Sequence, residues 1–304
     1  MISATRWFLV FAVTTAFGES PSGDSVIRAA AGKSEIVITT TTRCAGAIHS
    51  LTWGGREFID SHDHGRQLQS AANFDAGSPI QNETFNPTEA GSAADGAGAI
   101  SSSRLLSLKA GAGALETVTQ MAFWLAPGAR SGGHLAKNTT VLSDHLLTKR
   151  VRIGYKHLPH VISCDVIFKV PAGERHTHAV FEALTGYMPP EFARFLRFNP
   201  QRGELEALSD GPGEIPHPIV FATADGSHAM AIFSPPQSAP RISGPTYGRF
   251  RFAAEKVVKW NCVFRVRDES GIAPGEYPFR MFVIVGDLAT VSHSLHTLHR
   301  EFAN

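Results

Sequence analysis

Gly46–Asp60 reads GAIHSLTWGGREFID, and its patterning decides the fold class. Ala47 to Trp53 and Arg56 to Ile59 are short segments rich in strand-forming residues, separated by Gly54-Gly55. A glycine pair between two such runs is a hairpin signal, because glycine reaches the positive φ angles of a tight turn without steric cost. Outward from this hairpin the pattern repeats. Glu35 to Thr40 precedes it, and strands are expected at Thr117 to Leu125, Leu146 to Tyr155, Val161 to Val170, Ala179 to Tyr187, Pro218 to Thr223, Ala229 to Phe233, Tyr247 to Ala253, Val257 to Arg267 and Tyr277 to Val285. These runs are rich in valine, phenylalanine and threonine with partial alternation, and no strand–helix rhythm separates them. The expected fold is all-β, a large antiparallel β-sandwich. One helix is expected at the end, where Leu288, Val291, Leu295, Leu298 and Phe302 form a single apolar stripe behind the capping residue Asp287.

Composition agrees with a packed β domain. Of 304 residues, 43% are hydrophobic and 18% charged, which excludes a disordered chain, while 28 glycines and 18 prolines suit many chain reversals. The net charge of +1, without a basic run, lacks the electrostatic footprint of a nucleic-acid binder. Residues 1–18 read as a signal peptide: Arg6 is the positive start, Trp7 to Phe17 the apolar run, and Ala16 and Gly18 frame a cleavage site. That run is shorter than the roughly 20 residues of a membrane span. Residues 19–33 then read as a linker and 34–304 as a single domain, secreted or periplasmic. Cys44, Cys164 and Cys262 make an odd count, with Cys164 and Cys262 inside strands, so no disulfide framework is expected.

The densest run of polar groups with turn residues lies just after the hairpin. SHDHGRQLQSA (Ser61 to Ala71) and FNPTEAGS (Phe85 to Ser92) carry His62, Asp63, His64, Arg66, Gln67, Gln69, Asn86 and Glu89. Loops held on a rigid scaffold are the usual bearers of binding groups. A second constellation is HTHAVFEALTGY (His176 to Tyr187). Residues two apart on a strand share a face, which would align His176, His178 and Glu182 opposite Ala179, Phe181 and Ala183.

GAIHSLTWGGREFID resembles the opening hairpin of the galactose mutarotase-like superfamily. Aldose epimerases of that superfamily next carry a G-R-x-x-N-R element whose arginines bind the sugar. Gly65-Arg66-Gln67-Leu68-Gln69 stands in the corresponding place, with Arg66 matching the first arginine and no second one, Gln69 or Ser70 standing there. His176 to Tyr187 is similar to the epimerase strand that presents a catalytic histidine, and the segment from Val257 onward shows no match to the glutamate-bearing motif. The resemblance implies a supersandwich with a concave sugar-binding face, a fold shared with domains of glycoside hydrolases and polysaccharide lyases.

The expectation is therefore an exported enzyme that cleaves a glycosidic bond in a poly- or oligosaccharide. Glu182, Glu89, His178 and His64 are the candidate catalytic groups, since paired carboxylates flank the bond in glycosidases and imidazole titrates near neutrality. Arg66, Gln69, His62, Asn86, Trp53 and His176 are the candidate substrate-binding groups, offering a donor fork, amides and an aromatic face. Alternatives are an aldose epimerase, a polysaccharide lyase and a non-catalytic glycan-binding protein. No cofactor is expected; a divalent ion held by His176, His178 and Glu182 is the alternative.

Overall fold

The computed structural model describes residues 21–81, 83–237 and 241–303. Residues 1–18, read as a signal peptide, lie outside the described residues. The chain is a large antiparallel β-sandwich closed by one C-terminal helix, as the strand pattern implies.

The front sheet runs, neighbour to neighbour, through Ser25–Ala31, Ser34–Thr40, Ile48–Trp53, Leu68–Phe74, His178–Met188, Val257–Arg267, Ile242–Phe252 and Gly213–Ile215. The back sheet runs through Arg104–Gly111, Ala114–Phe123, Leu142–Tyr155, Leu158–Val170, Gly275–Gly286, Ala229–Phe233, Ile219–Ala222, Arg194–Asn199 and Glu204–Ala207. The two-residue strand Pro87–Thr88 joins them, pairing Thr88 with Ala71 in front and with Ala122 behind.

Period-two alternation explains both faces of the back sheet. Ile162, Met281 and Val283 point into the layer between the sheets, where they meet Ile38, Leu51, Phe74, Phe181 and Phe264 of the front sheet. Val161, Phe282 and Ile284 point the other way and pack under the helix Leu288–Phe302 through Val291, Leu295 and Leu298. Asp287 caps that helix by accepting the Thr290 N–H at 2.7 Å. His296 and His299 are half-buried against Phe198.

The quoted hairpin forms as read, with Gly54 and Gly55 at φ 60° and 76°. Other sequence expectations are corrected. Ser25–Ala31, placed in a linker, is a strand zipped to Ser34–Thr40, because its Ile27 and Ala31 alternate inward into the core. The polar run Phe85 to Ser92, grouped with the loops, supplies the bridging strand Pro87–Thr88. All three cysteines are free and buried. No helix among the described residues is long and apolar enough to cross a membrane.

Candidate functional site

The strand His178–Met188 sits in the middle of the front sheet, between Leu68–Phe74 and Val257–Arg267. Ala179 and Phe181 point into the core, so His178, Val180 and Glu182 point outward. Pairing then slips between Glu182 and Leu184, a β-bulge that turns both Ala183 and Leu184 inward. Beyond it Thr185 and Tyr187 face outward, and Glu182, Thr185 and Tyr187 come to share one cleft.

That cleft, about 80 Å³ in volume, is built by three neighbouring strands and the loops above them. Gln69 and Asn73 come from one strand, Lys259 from the other, and Glu83, Asn86 and Trp124 from the loops. At its centre Lys259 Nζ donates to Glu182 Oε2 at 3.0 Å, and Thr185 Oγ1 donates to the same oxygen at 2.9 Å. The ammonium also lies 5.2 Å from the centre of the Tyr187 ring, a cation–π distance.

The electrostatics follow from this packing. Burial works to raise the Glu182 carboxyl, but Lys259 and hydrogen bonds from Asn261 and Thr185 outweigh it and hold the group below its ordinary range. Burial works to lower Lys259, and Glu182 overrides that to hold the ammonium above its ordinary value. Burial raises the Tyr187 phenol, with Glu182 adding to the effect and Lys259 opposing it. The cleft therefore holds a carboxylate that stays ionised, a cation that stays protonated and a phenol that keeps its proton at neutral pH. Asn261 is fixed from behind: its Oδ1 accepts the Gly248 N–H at 3.0 Å.

The sequence candidates divide. Glu182, Gln69 and Asn86 line the cleft. Gln69 and Asn86 are partly committed to the scaffold, donating to the carbonyls of Gly65 at 2.8 Å and Ala72 at 2.6 Å. Arg66 lies next to the cleft residue Gly65, tied to Asp63 at 3.1 Å and Asp60 at 3.8 Å. His62 is exposed on the same loop.

The others lie elsewhere. Glu89 is in the layer between the sheets, fully buried, with its carboxylate on Lys149 Nζ and accepting the Ser70 N–H at 2.9 Å. Lys149 points inward because it is in phase with the core residues Leu147 and Val151, two positions away on either side. Glu89 and Glu182 are thus not two acids facing one cleft. His64 is buried, its ring nitrogens against the carbonyls of Gly96 at 2.8 Å and Arg43 at 2.7 Å, so it clamps two loops. Trp53 donates to the Ala31 carbonyl at 3.0 Å and packs edge-on against His160 and His228.

The alignment of His176 with His178 and Glu182 fails because the strand begins only at His178. His176 turns into a cluster with Phe74 and Phe85, bonded to the Asp75 carbonyl and to Glu174 at 2.8 Å. His178 does share the face of Glu182, but one strand step beyond Val180. Burial, then Arg267, lower its pKa. His176, His178 and Glu182 therefore do not converge on one ion, and no group of three or more metal-ligand residues is found among the described residues.

The groups that sequence reasoning passed over are Lys259, Asn261 and Glu83. The signal for the first two was present in VVKWNCVF, where Lys259 and Asn261 alternate with the buried Trp260 and Cys262. Two polar residues in phase on a central apolar strand mark a polar face.

No family model and no curated protein matches the chain. Similar solved structures include an α-galactosidase from Lactobacillus brevis, at 9% identity and a TM-score of 0.45, covering 88% of this chain and 40% of that one. The protein Slr1438 from Synechocystis sp. PCC 6803 is similar at 9% identity and a TM-score of 0.46, over 93% of this chain and all of that one. A provisionally named aldose 1-epimerase from Klebsiella pneumoniae is similar at 11% identity and a TM-score of 0.44, over 93% of this chain and 92% of that one. The chain thus spans less than half the length of the galactosidase.

Proposed function

We propose that this protein is an exported carbohydrate-active enzyme that performs acid–base chemistry on a sugar held in the front-sheet cleft. Glu182 serves as its base. The observation that carries the reading is the Glu182–Lys259 pair, 3.0 Å apart, in a cleft also lined by side-chain amides, threonine hydroxyls, aromatic rings and the Glu83 carboxylate. Amides both donate and accept, which suits sugar hydroxyls, and an aromatic wall suits the C–H face of a sugar ring. A carboxylate kept ionised beside an ammonium is equipped to accept a hydroxyl proton, while Tyr187 or Lys259 returns a proton to the ring oxygen. Chemistry of that kind opens and recloses a sugar at its anomeric carbon. Export rests on the reading of residues 1–18.

Cleavage of a glycosidic bond is the second reading, favoured by Glu83 lining the same cleft as Glu182. Hydrolases flank the bond with two carboxylates roughly 5 to 10 Å apart. A panel of free sugars and oligosaccharides, followed by NMR for anomer exchange and by reducing-end assay, separates the two. Accelerated exchange lost in Glu182→Gln supports the first reading. New reducing ends lost in both Glu182→Gln and Glu83→Gln support the second. Binding without turnover leaves a glycan-binding protein, and no binding at all overturns the carbohydrate assignment.

A further inference from the structure

The strand Ile242–Phe252 continues the front sheet past Lys259. Its register places Gly248 opposite Asn261, Phe250 opposite Lys259 and Phe252 opposite Val257. Since residues two apart share a face, Phe250 and Phe252 stand on the same outer face as the Lys259 and Asn261 side chains. Their rings are 8° from parallel with centroids 6.1 Å apart, and Lys259 Nζ lies 5.5 Å from the centre of Phe250. A Cβ on Gly248 would stand 3.0 Å from Phe250 Cε2 and 2.1 Å from Asn261 Oδ1, so ring and amide close over the same bare stretch of backbone. An aromatic strip therefore runs from the cleft's ammonium outward along the sheet. Neither ring belongs to the packed core, and Phe252 is 37% exposed.

We propose that Phe250 and Phe252 form a second sugar subsite, so that the ligand is an oligo- or polysaccharide chain rather than a free monosaccharide. The inference rests on the carbohydrate reading of the cleft. The electron-rich face of a phenylalanine ring attracts the weakly positive C–H groups on the flat side of a pyranose, without hydrogen bonds and with little regard to hydroxyl configuration. Selectivity then belongs to the amides and charges of the cleft, and added affinity to the strip. Size also favours a glycan over a protein partner. Two aromatic side chains offer at most about 500 Å², whereas a stable interface covers about 800 Å² on each side.

The test is calorimetric titration of the full chain with gluco- and galacto-oligosaccharides of one to six units, using wild type, Phe252→Ala, Phe252→Trp and Glu182→Gln. Phe252 is exposed enough for both of its variants to fold, and their melting temperatures verify this. In the wild type, affinity rises about tenfold between one unit and three. In Phe252→Ala that gain is flattened, and Phe252→Trp restores it. If Phe252→Ala keeps the whole gain, the strip is not a subsite, while the cleft reading stands. If Glu182→Gln keeps wild-type anomer exchange and reducing-end release as well as wild-type binding, and Phe252→Ala still flattens the gain, the strip stands and the cleft reading fails. No binding by the wild type overturns both. A concentration-dependent dimer that dissociates in Phe252→Ala assigns the strip to a second copy of the chain and overturns the proposal.

Discussion

Replacing Lys149 by methionine tests whether Glu89 belongs to the scaffold or to the site. The Lys149 and Glu89 side chains are 1% and 0% exposed, and the ammonium also donates to the Leu68 carbonyl at 3.3 Å. Methionine fills similar volume but leaves a carboxylate between the sheets without its cation, and breaking one half of a buried pair costs about 3–5 kcal/mol. At roughly 2–4 °C per kcal/mol for a chain of this size, the melting temperature should fall by about 6–20 °C. The double variant Glu89→Gln/Lys149→Met should recover most of that loss, because a neutral amide still accepts the Ser70 N–H and no charge is stranded. Thermal and urea unfolding of the wild type, both single variants and the double variant give the coupling directly. Sugar binding per folded molecule should be the same in all four. A Lys149→Met cost below about 1 kcal/mol, or Glu89→Gln protein that is fully folded yet unable to bind sugar, would refute the reasoning.

Five further outcomes follow from the geometry. Glu182→Gln should lower turnover by about 100-fold or more, as removal of a general base does. In Lys259→Met the acid limb of the pH–rate profile should move upward, because the cation that holds the Glu182 carboxyl down is gone. The stability contributed by that pair is present above the ordinary carboxylate value of 4.5 and lost as pH falls through the lower folded value; melting temperatures of the wild type and Glu182→Gln across pH should converge at the acid end. His145 is neutral in the fold, since burial, opposed by Glu174 and reinforced by His176, lowers its pKa to about 4 from 6.5. The unfolded chain binds the extra proton between those values, so stability should decline by about 3 kcal/mol from pH 6.5 to about 4, and a His145→Leu variant should lose that part of the slope. Gly248→Ala should push the Asn261 amide aside, since the new Cβ would stand 2.1 Å from its oxygen; a cost of about 1–3 kcal/mol with loss of binding is expected from calorimetry and titration.

The fold was legible because its main strands are periodic. Val257–Arg267 and Ala229–Phe233 have the bounds read from the sequence, and the apolar stripe of the terminal helix packs as read. Strands that carry the site were harder to see. Leu68–Phe74 alternates Gln69, Ala71 and Asn73 with Leu68, Ala72 and Phe74, and its polar phase belongs to the cleft, so it read as loop. Polar character alone also misplaced residues. Glu89, His64 and His176 have the chemistry of a site, but their partners (Lys149, the Gly96 and Arg43 carbonyls, and the Asp75 carbonyl) come from distant chain segments, and no local pattern reveals such pairings. Glu182 could be found because its face is set by its own strand.

The slip of pairing after Glu182 divides the central strand into two halves of opposite parity. Up to Ala183 the inward residues are odd-numbered; from Leu184 onward they are even-numbered. Tolerance to substitution along His178–Met188 should therefore switch phase at that point. A single-residue deletion there would do more than shorten the strand. It would remove the extra residue of the bulge and restore one parity along the whole strand, whereas a deletion beyond the bulge, at Gly186, would rotate Tyr187 into the core and Met188 out to water, dismantling the cleft while leaving every one of its side chains in the sequence.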